Sequence, residues 1–84
     1  MKLVDCFYQR DISVIDRFTF VFDEHDPRTG YYTMLATSET GSAFSQWTSG
    51  SYEPNGKNLH LGERVEFQSL GKVLVEHVLG RMEE

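Results

Sequence analysis

Cysteine, positive charge and long apolar runs are all scarce in this chain, and each scarcity excludes something. A lone cysteine, Cys6, among 84 residues leaves no internal disulfide framework and fits a reducing, cytoplasmic setting. Eight Lys and Arg against thirteen Asp and Glu give a net charge of -5 and a pI near 5.1. That balance argues against a general binder of nucleic acid or of anionic membranes. Divided at residue 42, the halves carry 4 basic and 7 acidic residues, then 4 and 6, so no charged arm stands out. No apolar run approaches the ~18 residues of a membrane span. The N-terminus also lacks a signal peptide's basic segment, apolar stretch and small-residue cleavage site.

What the chain does have is enough apolar material for one core. Leu, Ile, Val and Phe make up 22 of the 84 residues, above the composition of disordered chains, and 13% of all residues are aromatic. With no repeat, linker or low-complexity tract, residues 1–84 read as a single domain near the minimum size for unaided folding.

The period of the apolar residues then assigns the elements. Between Asp16 and Asp23, Phe18, Phe20 and Phe22 fall at a spacing of two, with Arg17, Thr19, Val21 and Asp23 on the other side. This is a strand with one aromatic face and one mostly polar face. Asp26-Pro27-Arg28-Thr29-Gly30 supplies turn chemistry, and Tyr31 to Thr37 returns as an antiparallel strand. Tyr31, Thr33 and Leu35 lie on one side of it and Tyr32, Met34 and Ala36 on the other. A strand apolar on both faces is central in its sheet or covered on its second side by a partner.

Ser38 to Ser42 is a second turn and Ala43 to Thr48 a third strand, bearing Phe44 and Trp47. Ser49 to Gly62 is irregular, and Glu63 to Phe67 is a short strand with Val65 and Phe67 inward. Met1 to Val14 suits one or two further strands, from Leu3, Val4, Cys6 and Phe7 and then Ile12, Val14 and Ile15. The end is helical. Ser69 is placed to cap it, and Leu70, Val73, Leu74, Val78, Leu79 and Met82 form one apolar stripe, with Lys72 and Glu76 outward. The expected architecture is α+β: an antiparallel meander of about four strands with the C-terminal helix across one face, against Phe18, Phe20 and Phe22.

Little in the sequence carries chemistry. Asp23-Glu24-His25-Asp26 is a dense group of metal-type ligands, but its spacing matches no metal loop and it reads as a solvated hairpin tip. His60 and His77 would need long-range convergence to share a metal with His25. Cys6 has no local base and reads as a buried thiol. Ser69-Leu70-Gly71-Lys72 matches Ser-x-x-Lys in letters only, since capping accounts for the serine. No Walker loop, Gly-x-Gly-x-x-Gly or Gly-x-Ser-x-Gly is present. Arg10, Arg17, Arg28, Lys57 and Arg64 lie in the sheet and loop region but are outnumbered there by acids, a balance that disfavours a single-strand nucleic-acid site on the sheet aromatics.

The remaining signal is aromatic. Tyr31, Tyr32 and Tyr52 together offer more ring surface than one helix covers, while Trp47 reads either as folded into the core or as a surface anchor of the kind that binding sites use. The sequence therefore points to a non-catalytic, cofactor-free protein-interaction module that self-associates, with those four residues at the contact. The alternative is a small-ligand or metal-binding protein using the Trp47–Tyr52 segment or the Asp23–Asp26 cluster.

Overall fold

The computed structural model describes residues 1–10, 16–41 and 44–83. Among these residues, five strands form one antiparallel sheet: β1 (Leu3–Gln9), β2 (Arg17–His25), β3 (Tyr32–Thr37), β4 (Ser45–Gly50) and β5 (Glu63–Arg64). Their spatial order is β4-β3-β2-β1-β5, so β1 to β4 run as a meander and β5 closes the far side beside β1. One helix follows, α1 (Lys72–Met82). This is the expected α+β meander with a C-terminal helix, with five strands in place of about four.

The turn between β2 and β3 is built by Asp26. Its Oδ1 accepts the Arg28 N–H at 2.8 Å and its carbonyl accepts the Gly30 N–H at 2.7 Å, with Gly30 at φ 75. Within the first segment, Leu3–Gln9 forms β1, which lies between β2 and β5; Ile12, Val14 and Ile15 lie outside the described residues.

Under α1, Phe18, Phe20 and Phe22 meet Leu74 and Val78, with Cys6 and Leu35 completing the buried cluster. Phe67 sets its edge against Phe20 at 5.9 Å, and Trp47 packs beside Phe22 at 5.4 Å. Lys72 and Glu76 face water. The stripe is narrower than its spacing suggested, since Val73 is 61% exposed and Leu79 46%.

Three local readings are corrected. The stretch from Glu63 keeps strand pairing only to Arg64; Phe67 to Ser69 is a 3-10 turn that lifts the chain from the sheet towards the helix. Ser69 is not the helix cap. Its hydroxyl donates back to the Glu66 carbonyl at 2.7 Å, and Gly71 holds the cap position without a side-chain bond. A hydroxyl with a nearer carbonyl acceptor in its own turn has no reason to reach forward.

The second face of β2 is not a polar surface: Thr19 and Val21 are buried there. Phe7, Val21, Met34 and Leu61 form a second buried cluster, flanked by Tyr32 and Tyr52. The cover is the chain from Ser51 to Leu61, folded back over the sheet. Gly62, at φ 107, lets it return, because a Cβ there would run into the Tyr8 carbonyl oxygen. The second apolar side of β3 is thus covered from within the chain.

Candidate functional site

The four aromatic candidates are not gathered into one patch. Tyr31 sits at the exit of the β2–β3 turn and is 49% exposed. Tyr32 and Tyr52 are half-buried and cover one another on the loop side, edge to face at 5.1 Å. Trp47 lies on the opposite, helix side, half-buried, with the Arg81 guanidinium 5.7 Å from its ring centre. The Tyr52 hydroxyl donates to Asp5 Oδ2 at 2.9 Å. Burial first and that bond second push the Tyr52 hydroxyl above its ordinary pKa of 10.0.

In the metal-type cluster, the side chains of Asp23, Glu24 and His25 are engaged by the N-terminal segment and by β3. Asp23 Oδ1 accepts the Lys2 N–H at 2.9 Å, Glu24 accepts the Thr33 hydroxyl at 3.4 Å, and the His25 ring lies against Tyr32. His60 hooks to the Ser51 carbonyl at 2.7 Å, far in sequence from His77 and its partner Ser45. Among the described residues, no three His, Cys, Asp or Glu side chains gather so as to hold a metal ion. An open cleft of about 600 Å³ lies beside Tyr52, Glu53, Lys57, Leu59 and His60. The Cys6 Sγ donates to the Val65 carbonyl at 2.9 Å, and burial, with Asp5 and Glu66 adding negative charge, pushes its pKa up to about 12. A thiol held protonated this firmly is a poor nucleophile.

A polar group that the sequence did not announce joins α1 to β4. Ser45 Oγ and His77 Nε2 are 2.7 Å apart, and Arg81 Nη1 donates to Ser45 Oγ at 2.6 Å and to the Ser45 carbonyl at 3.3 Å. Gly41, at φ 78, sits against the His77 ring, where a Cβ would come within 2.9 Å of ring carbons. The Ser45–His77 distance is that of a nucleophile and its base. Such a pair also needs a group that orients the imidazole and donors for an oxyanion. Among the described residues no carboxylate bonds His77, and the serine oxygen already accepts from Arg81. The arrangement ties the helix to the first residue of β4.

The two edges of the sheet differ sharply. At one side β5 is two residues long and both are charged, Glu63 and Arg64, a short and guarded edge. At the other, β4 runs for six residues, Ser-Gln-Trp-Thr-Ser-Gly, with no charge and no proline. Its pairing with β3 is continuous from Tyr32↔Gly50 to Thr37↔Ser45, whereas the β1–β2 and β2–β3 ladders each carry an irregularity. Gln46, Thr48 and Ser49 are exposed.

Register decides which main-chain groups this edge presents. The Ser38 N–H donates to the Phe44 carbonyl at 3.2 Å, which makes Thr37↔Ser45 a non-hydrogen-bonded pair. By alternation, Gln46, Thr48 and Gly50 exchange hydrogen bonds with β3, and Ser45, Trp47 and Ser49 turn their N–H and C=O outward. Arg81 takes the outward carbonyl of Ser45. Among the described residues, nothing takes the outward groups of Trp47 and Ser49. No helix among those residues is long and apolar enough to cross a membrane. Comparison with protein-family models, curated proteins and solved structures found no match to this chain.

Proposed function

We propose that this protein is a non-catalytic interaction module that self-associates through strand addition at the open edge of its sheet. The observation that carries the reading is β4 itself: six uncharged, bulge-free residues whose outward N–H and C=O groups at Trp47 and Ser49 have no partner among the described residues. Edges of this kind are what soluble proteins block with charge, proline or bulges unless they are used, and a strand laid alongside satisfies the main chain at once. Both faces of the sheet are already occupied, one by α1 and the other by the Ser51–Leu61 segment, so the edge is the sheet surface left for a partner. Of the four aromatic residues, Trp47 is the one on this strand, and it stands at the contact while Tyr32 and Tyr52 support the loop.

Sedimentation equilibrium from micromolar to millimolar chain concentration tests the reading. The mass should rise from one chain towards two. Ser49→Pro removes one outward N–H and no bond to β3, so it should return the mass to one chain while the protein stays folded. A wild type that remains monomeric throughout would overturn the proposal.

A further inference from the structure

Resting on that reading, the free groups of β4 also specify how two copies would meet. We infer that β4 pairs antiparallel with β4 of a second copy about a two-fold axis through Thr48, with Trp47 of each chain opposite Ser49 of the other.

Three features fix this register. Among the described residues of β4, Trp47 and Ser49, one on either side of Thr48, have both outward groups unpartnered. A two-fold at Thr48 brings each Trp47 onto the other chain's Ser49, and every hydrogen-bonded pair of this kind exchanges both its N–H···O=C bonds. The free groups of Trp47 and Ser49 are then satisfied by the same groups of the copy. A two-fold at Trp47 would instead set Ser49 opposite Ser45, whose carbonyl already accepts from Arg81 at 3.3 Å, so that register shares an acceptor where the Thr48 register uses unshared ones. A two-fold at Ser49 would push the pairing beyond Gly50, where the chain leaves the sheet to cross its face.

The choice of a second copy as occupant rests on charge and symmetry. The chain carries -5 overall, which opposes approach of another like chain, yet Ser45 to Gly50 brings no charge to the contact. A two-fold needs a self-complementary surface, and two free residues flanking a central one provide it. Both five-stranded sheets would join into one continuous sheet, with both helices on the same side. Thr48 faces its own copy from the loop side, directly opposite in a non-hydrogen-bonded pair, where Cα atoms lie ~4.5 Å apart.

Cysteine substitution in the full chain under mild oxidation reads this geometry. Thr48→Cys should form an intermolecular disulfide, because its Cα separation falls in the range of about 4.4–6.8 Å that a disulfide spans. Gln46→Cys should not, because two residues' offset on each chain separates the pair by roughly 13 Å at ~3.3 Å per residue. The native Cys6 is 2% exposed, and the wild type serves as its control. As an independent readout, Thr48→Lys and Thr48→Glu should each be monomeric alone and should dimerise when mixed, since like charges directly opposite repel and unlike ones attract. A monomeric wild type would overturn self-association itself. A dimeric wild type in which Thr48→Cys fails to crosslink, or in which the Lys and Glu variants dimerise alone as well as mixed, would overturn the two-fold at Thr48 and leave self-association standing.

Discussion

The two faces of this sheet are closed by different physics. On the helix side, Phe18, Phe20, Phe22, Leu35, Leu74 and Val78 close the core by apolar contact. On the loop side the apolar cluster is smaller, Phe7, Val21, Met34 and Leu61, and polar bonds hold its lid in place. Asn58, 8% exposed and at φ 52, accepts the Glu53 N–H and donates to the carbonyls of Glu53 and Gly56. Arg64 donates through Nε to both Asp5 carboxylate oxygens and through Nη2 to the Gly56 carbonyl, and lies 5.2 Å from the centre of the Phe7 ring. A periodic stripe can build the first kind of cover; the second needs particular side chains at particular places.

The largest effect should come from emptying the apolar side. Leu74→Ala should cost about 2–5 kcal/mol in a urea melt, because it leaves a cavity under the three phenylalanines. A variant as stable as wild type would mean that α1 does not carry that face.

Removing the loop's anchor comes next. Asn58→Ala should cost about 1–3 kcal/mol, from three lost hydrogen bonds and a left-handed backbone that alanine resists. Asn58→Gly should recover part of that by accepting the positive φ. Hydrogen exchange should show the loosening in residues 51–61 more than in α1; equal loss on both faces would mean that the two covers are not held independently.

Alkali probes both sides at once. Burial raises the Cys6 thiol from 9.0 to about 12, and burial with the Asp5 bond raises Tyr52 above 10.0. Groups raised in the fold contribute stability that is complete below their unfolded values and lost as pH climbs towards the folded ones. Stability should therefore fall progressively from pH 9 towards pH 12, and Cys6→Ala should flatten the first part of that decline. The smallest change is at an exposed helix position. Glu76→Ala, removing only a 3.9 Å contact to Lys72, should cost under roughly 0.5 kcal/mol.

The difference between the faces also explains what could be read from the residues alone. Phe18, Phe20, Phe22, Leu74 and Val78 announce themselves by period, so the strand, the helix and their contact were legible. The loop cover was not, because Tyr52, Asn58 and Leu61 have no period, and their contacts to Phe7 and Met34 depend on a chain reversal with no local signal. That omission left β3 looking uncovered, when its second face is filled in cis. The Ser45–His77–Arg81 group was hidden for the same reason, being separated by more than thirty positions. The open edge was partly legible: the lack of charge and proline between Ser45 and Gly50 is plain in the sequence, but only the strand order shows that this strand is the last one.

Amide hydrogen exchange at Trp47 and Ser49, followed as a function of chain concentration, tests most directly the claim that the β4 edge is the contact. In dilute solution these two outward amides should exchange quickly while Gln46 and Thr48, bonded to β3, are protected. As concentration rises, Trp47 and Ser49 should slow in step with the growth in mass. If they remain fast at concentrations where the protein is a dimer, the contact lies elsewhere on the molecule.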